Sequence, residues 1–211
     1  RGLADSVRAY HRRTQVEDLC LTHVQVNPPV DRTRKVHEQQ QDIALKVVRE
    51  TDAGFVVNGS RWVGTLAQLA HEVVVMPSVV IGSEPGAEDY AFAFALPMAT
   101  PGIRVISRPS VVPLGAGHWL DNPLANQYDE GDAVIVFDQV FVPWERVFFV
   151  NRPDLAGAAA LTFVEFHRFT AVSYKLPLLD AMLGAGIAMS GSLLGPILFF
   201  VLFNLVRLLT R

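Results

Sequence analysis

Val134-Ile135-Val136-Phe137-Asp138-Gln139-Val140-Phe141-Val142-Pro143-Trp144-Glu145-Arg146-Val147-Phe148-Phe149 is the stretch whose reading decides the fold. Two apolar runs of strand composition meet at Asp138-Gln139, and the second stops at Pro143. Proline has no N–H to give a ladder, so a strand is expected to end there. Trp144-Glu145-Arg146 then sets a large ring and two opposite charges on the exit from a sheet. Glu145 and Arg146 are expected to pair with each other on the surface. Helical composition begins near Leu155. The stretch reads as a β-rich region handing over to a helical one.

Upstream, the same strand grammar repeats. Residues 44–51 and 55–58 flank Asp52-Ala53-Gly54, a hairpin signal with Gly54 available for positive φ. Further strands are expected over 71–76, 90–96, 103–107, 133–137 and 140–142, with His71-Glu72 opening the first as a surface pair. Residues 99–102 and 108–126, rich in proline and glycine, read as loops. Before the strands, Leu3, Val7, Tyr10, Val16 and Leu19 recur among charges at a loose helical period. Asn27-Pro28-Pro29 closes any regular element there, because neither proline can donate and the first restricts its predecessor. The expected organisation is a helical remnant over 1–21, a β-rich domain over 22–150, the start of a second helical domain over 151–192 and an apolar tail over 193–211.

Composition narrows the classes. The chain has 211 residues, 50% of them hydrophobic, and a formal net charge of −3 from Lys+Arg 18 against Asp+Glu 21. That length supports a sizeable core. No basic patch stands out, so no nucleic-acid partner is expected. The single cysteine, Cys20, excludes an internal disulfide and points to a reducing compartment, the cytoplasm. The sequence does not begin with methionine and opens in helical composition, so a piece of a longer protein is expected. No ligand-spaced HExxH, CxxC or paired-carboxylate pattern occurs, and no metal is assigned. Asp129, Glu130 and Asp132 read as a solvated acidic loop, and His118 as a loop residue.

The first chemical signal follows the opening helix. Leu21-Thr22-His23-Val24-Gln25-Val26-Asn27-Pro28-Pro29-Val30-Asp31-Arg32 sets a hydroxyl and an imidazole where an extended segment leaves a helix. Such a segment can lay backbone N–H groups and the Thr22 hydroxyl along the rim of a planar heterocycle, which needs donors to settle extra electron density on reduction. A capped turn with a half-buried histidine fits the same residues.

Leu21-Thr22-His23 with Asn27-Pro28 and Asp31-Arg32 resembles the flavin-facing segment of the 4-hydroxyphenylacetate 3-hydroxylase family, which also includes 4-hydroxybutyryl-CoA dehydratase. Four further runs agree in order. They are 47–58 with its Glu50-Thr51-Asp52-Ala53-Gly54 turn, 64–77 with Thr65 and His71-Glu72, 95–102 and 132–148. The resemblance covers roughly residues 15 to 189. It implies an α+β, acyl-CoA dehydrogenase-like fold, with a β-barrel-like middle domain flanked by partial helical domains. It also implies FAD, used as FADH2 and delivered by a separate flavin reductase. The reaction implied is flavin-dependent aromatic hydroxylation, in which a flavin C4a-hydroperoxide passes one oxygen atom to the carbon ortho to a phenol. By resemblance His23 matches the active-site histidine, Thr65 the flavin-contacting threonine, and Thr22 sits in the flavin-facing segment. Arg32 can face a flavin phosphate through its guanidinium fork, and a solvated loop arginine fits the same position. The family implies a small phenolic substrate and a homotetramer. Because the upstream helical domain is missing here, weak or no turnover is expected from this chain alone.

Two departures separate the branches. The dehydratase holds an iron–sulfur cluster whose last ligand pair is a histidine followed seven residues later by a cysteine. Here His167 is kept but the cysteine position is Tyr174, and thiolates are what hold such a cluster. The dehydratase also carries glutamate where this chain has Asp132. Dehydration of a CoA thioester, favoured by His167 and Lys175, is therefore the second reading. The third is a non-catalytic fragment associated with a membrane through 193–205. That apolar run, flanked by Arg207 and Arg211, falls short of the ~20 residues of a comfortable span.

Overall fold

The computed structural model describes residues 3–28, 30–31, 33–77, 84–110, 112, 129 and 131–190. In chain order these form α1 (Leu3–Val16), β1 (Leu21–Val24), β2 (Lys46–Thr51), β3 (Gly54–Arg61) and β4 (Glu72–Val75). After them come β5 (Ala93–Pro97), β6 (Ile103–Ser107), β7 (Ala133–Pro143), β8 (Val147–Phe149) and α2 (Pro153–Ser190). The strands make two four-stranded sheets, ordered β1-β4-β5-β8 and β2-β3-β7-β6. Each keeps its edges, so the β-barrel-like middle domain is a pair of open sheets that does not close into a full barrel. The edge strands β1 and β8 span only four and three residues. The tail over 193–211 lies outside the described residues, as do His118 and Glu130.

The deciding stretch forms one strand, β7, with a bulge at Asp138-Gln139. Val57 of β3 faces Val140 and Gly59 faces Phe137, so Asn58 alone opposes Asp138 and Gln139. Gln139 takes the left-handed φ of 51° that this insertion requires, and its N–H donates to Asn58 Oδ1 at 3.3 Å. The bulge has a packing reason. Ala133, Ile135 and Phe137 are buried at period two, and the extra residue re-phases the strand so that Val140 and Val142 are buried as well. Without it Gln139 and Phe141 would face the core.

Both sheets contribute to one core. Phe55 meets Phe94 edge-on with ring centres 5.9 Å apart, and Phe94 meets Phe137 in the same way at 6.1 Å. Pro143 ends β7 opposite Gly54, and Trp144 folds back over the β2–β3 turn. Its Nε1–H donates to the Asp52 carbonyl at 3.0 Å and its N–H to that of Ala53 at 3.2 Å. Gly54 is not in the left-handed region, contrary to the sequence expectation. Glycine is needed there because a Cβ would run into the Val142 carbonyl.

The joint after Pro143 is tied to α1 by a buried carboxylate. Glu72, 2% exposed, accepts from Arg13 Nη2 at 2.6 Å and from Arg146 Nη1 at 3.0 and 3.1 Å. Arg146 therefore pairs with Glu72 and not with Glu145, and His71-Glu72 is no surface pair. His71 Nδ1 accepts from the Cys20 N–H at 3.0 Å. Burial works to raise the Glu72 carboxyl, but Arg13 and Arg146 outweigh it and hold its pKa below the usual value. Burial and that same negative charge push the Tyr10 hydroxyl well up.

Backbone contacts divide the chain into two units, the first ending at Leu161 and the second starting at Thr162. In the first, α2 opens at Pro153, two residues before the expected start. Proline suits a first helical turn because its missing N–H would have no partner there. Arg152 pairs with Asp154 at the same end, and Ala156 and Ala160 are buried. In the second unit the helix continues to Ser190. Phe163 stacks on His167 at 5.3 Å, while Phe166, Phe169, Val172 and Leu176 are exposed along it. Among the described residues, no helix is long and apolar enough to cross a membrane.

Candidate functional site

β1 runs parallel to β4 at the edge of its sheet, with Thr22 facing Val73 and His23 facing Val74. Side chains alternate along a strand, and the burial alternates with them: Thr22 and Val24 are buried, Leu21 and His23 exposed. The carbonyls of Cys20 and Val24 accept from β4 and its flanks, which puts the backbone groups of Thr22 on the same side. Those of Leu21 and His23 point the other way, along the outer rim of the sheet.

Thr22 reaches inward. Its hydroxyl donates to the Thr65 carbonyl at 2.7 Å, and the Thr65 hydroxyl donates to Asp132 Oδ1 at 2.7 Å. An ionised carboxylate can only accept, so the proton direction in the second bond is fixed. The segment bearing Thr65 is stapled to the start of β7. Gly64 and Ala133 exchange N–H···O bonds of 2.9 and 3.1 Å, and the Leu66 N–H donates to the Gly131 carbonyl at 2.8 Å. Val63 at φ 62° and Leu66 at φ 57° flank Thr65 in the left-handed region. For a β-branched valine that conformation is costly, and such strain collects at functional sites.

The surroundings of Thr65 are apolar. Trp62, Val63, Leu66 and Leu69 are exposed around it in the chain, and Val26, bridged to Trp62, is exposed too. Thr65 itself is half-buried. A hydroxyl amid exposed apolar side chains, beside a sheet rim carrying backbone donors, has the chemistry to hold a planar heteroaromatic ring.

Thr22 and Thr65 are thus brought together, and Asp132 joins them instead of standing in a solvated acidic loop. Asp129 is not loosely solvated either: it accepts from Arg108 Nη2 at 2.6 Å and from the Ser110 hydroxyl at 2.7 Å. His23 follows Thr22 directly but leaves β1 on the opposite, exposed face. Arg32 lies outside the described residues. No group of three or more His, Cys, Asp or Glu that could hold a metal occurs among the described residues.

Sequence reasoning missed Arg61. It is 1% exposed, with Nη1 donating to the Gln25 carbonyl at 3.1 Å and to Asn27 Oδ1, and its guanidinium lies 5.6 Å from the centre of the Phe92 ring. Burial lowers its pKa to about 10. It clamps the segment that leaves β1, yet nothing local in Asn58-Gly59-Ser60-Arg61 distinguishes it from an outward-facing strand residue.

The family model described as 4-hydroxyphenylacetate 3-hydroxylase N terminal matches residues 1–149. The 4-hydroxyphenylacetate 3-monooxygenase oxygenase component of Thermus thermophilus is 37% identical over 190 residues, covering 89% of this chain and 38% of that protein. Among solved structures, the oxygenase component of 4-hydroxyphenylacetate 3-monooxygenase complexed with FAD and 4-hydroxyphenylacetate matches with a TM-score of 0.76 at 34% identity. That match covers 90% of this chain and 40% of the other. An archaeal 4-hydroxybutyryl-CoA dehydratase from N. maritimus has a TM-score of 0.79 at 23% identity, covering 90% of this chain and 38% of its own, and shares the fold. The chain spans about two fifths of the length of the relatives it matches.

Proposed function

Since the chain belongs to the 4-hydroxyphenylacetate 3-hydroxylase family, we propose that it is the flavin-facing part of an aromatic hydroxylase that uses reduced FAD to insert one oxygen atom ortho to a phenol. The observation that carries this is the bonded series Thr22–Thr65–Asp132 beside the outer rim of β1. Bound as FADH2, the flavin supplies the activation of dioxygen. The chain's own residues do the holding. Thr65 sets a fixed hydroxyl against the ring, and the Leu21 and His23 backbone supplies polar contacts along its edge. His23, on the exposed face of β1, engages the phenol oxygen and moves a proton there. Arg32 is assigned to a flavin phosphate on guanidinium chemistry. Exposed apolar side chains around Thr65 exclude water once the ring covers them.

A separate flavin reductase supplies the reduced cofactor, a reading supported by relatives described as oxygenase components. The exposed stripe Phe166, Phe169, Val172 and Leu176 supports burial in a helical bundle of a homotetramer. The free, exposed thiol of Cys20 suits a reducing cytoplasm. Cluster-dependent dehydration has less support, since Tyr174 stands where a cluster thiolate is needed.

The experiment uses the full-length enzyme carrying this sequence, mixed with a flavin reductase, NADH, FAD and 4-hydroxyphenylacetate under heavy-isotope dioxygen. The expected product is a catechol with one heavy oxygen atom. Stoichiometric iron and sulfide in the purified enzyme, with no catechol formed, would overturn the proposal in favour of the dehydratase branch.

A further inference from the structure

We propose that Asp132 is a positioning residue that makes the Thr65 hydroxyl acceptor-only, and that this selects reduced over oxidised flavin. The inference rests on the proposal that Thr65 faces the cofactor. A free threonine hydroxyl is ambivalent, donating or accepting as its rotor turns. Here the rotor is fixed, because the proton goes to Asp132 Oδ1 at 2.7 Å. The arrangement cannot relax easily. Asp132 immediately precedes β7, whose first residue exchanges two backbone bonds with Gly64, and Leu66 is bonded to Gly131. The Thr65 carbonyl is occupied in turn by Thr22. Two left-handed residues, Val63 and Leu66, hold the loop in this shape.

What the outward side of Thr65 then offers is a pair of lone pairs and no proton. The edge of an oxidised isoalloxazine carries ring nitrogens that accept. Two-electron reduction adds an N–H to that edge, turning an acceptor into a donor. An acceptor-only hydroxyl meets the reduced edge with a hydrogen bond and the oxidised edge with two opposed lone pairs. Leaving a buried acceptor facing an acceptor carries the penalty of unmade hydrogen bonds. Discrimination therefore comes from one proton's placement, and the spent oxidised cofactor is released for exchange.

The test measures the affinities of the full-length enzyme for oxidised and, without oxygen, reduced FAD, together with the midpoint potential of the bound flavin. These are compared among the parent protein, Asp132→Ala, Asp132→Leu and Thr65→Val. The expected result is tighter binding of the reduced form by the parent. Removing the carboxylate frees the hydroxyl to donate, so the reduced-over-oxidised preference falls about tenfold and the potential drops by about 30 mV, the equivalent for a two-electron couple. Asp132→Leu fills the space that alanine leaves and should behave alike. In Thr65→Val, removing the carboxylate as well should change nothing further, since the group it orients is gone. A merely structural role would weaken both forms together and leave the potential in place; that outcome overturns the inference. Failure of the parent protein to bind FAD in either form overturns the flavin-site reading itself, and the inference with it.

Discussion

Glu72 is the residue on which the joint between helix and sheet depends. Its carboxylate is 2% exposed and faces two guanidinium groups, so removing its charge takes from Arg146 and Arg13 their shared anion and leaves Arg13 with Glu17 alone. Glu72→Gln is expected to cost about 3 kcal/mol, the low end for a broken buried pair, because both arginines keep some contact with water. Its pKa in the folded state is lowered from 4.5, so the unfolded chain takes up the proton first. The stabilisation is complete above pH 4.5 and is lost as pH falls through the folded-state value. Denaturant unfolding across that range should show a steep acid limb in the parent and a flatter one in Glu72→Gln. Equal slopes would mean that another carboxylate controls acid unfolding. None of this was legible in the sequence: the partners stand 59 and 74 positions from Glu72, and His71-Glu72 alone looks like any polar strand opening.

Elements were far more legible, because their signals are local. Period-two apolar residues, the proline after Val142 and the two-residue turn at Asp52-Ala53 locate most of the strands. Asp138-Gln139 reads in sequence as the meeting of two runs; in the fold it is the bulge that lets both runs share one face. Deleting Gln139 should therefore restore an uninterrupted period-two strand. It removes the inserted residue and leaves Phe137, Val140 and Val142 on the face toward a core that also holds Phe55 and Phe94. The expected outcome is that the deletion variant still unfolds cooperatively by calorimetry, and that Gln139→Gly, which keeps the extra residue and eases its positive φ, stays folded as well. Loss of cooperative unfolding in the deletion variant would show that the bulge does more than set the phase of the two runs. Thr22, Thr65 and Asp132 mark the limit of this legibility. Thr22 draws notice where an extended segment leaves a helix and Thr65 through resemblance, but the bond from Thr65 to a carboxylate 67 positions away could not be read from spacing.

For the whole molecule, two open sheets around one aromatic core carry a strained, apolar-flanked hydroxyl beside a sheet rim. The chain spans about two fifths of its relatives, and the exposed helical stripe from Phe166 to Leu176 marks surface that further bundle is proposed to cover. On the proposed function, substrate grip and catalytic turnover belong to the longer protein, and the flavin-facing corner is proposed to be built from this stretch. A crystal structure of the full-length enzyme with FAD tests that claim most directly. The expected result is an isoalloxazine ring lying over the Trp62–Leu69 segment, with an edge atom about 3 Å from Thr65 Oγ1 and its polar rim along Leu21 and His23. A flavin bound elsewhere, with Thr65 and the β1 rim in contact only with protein or solvent, would contradict the account.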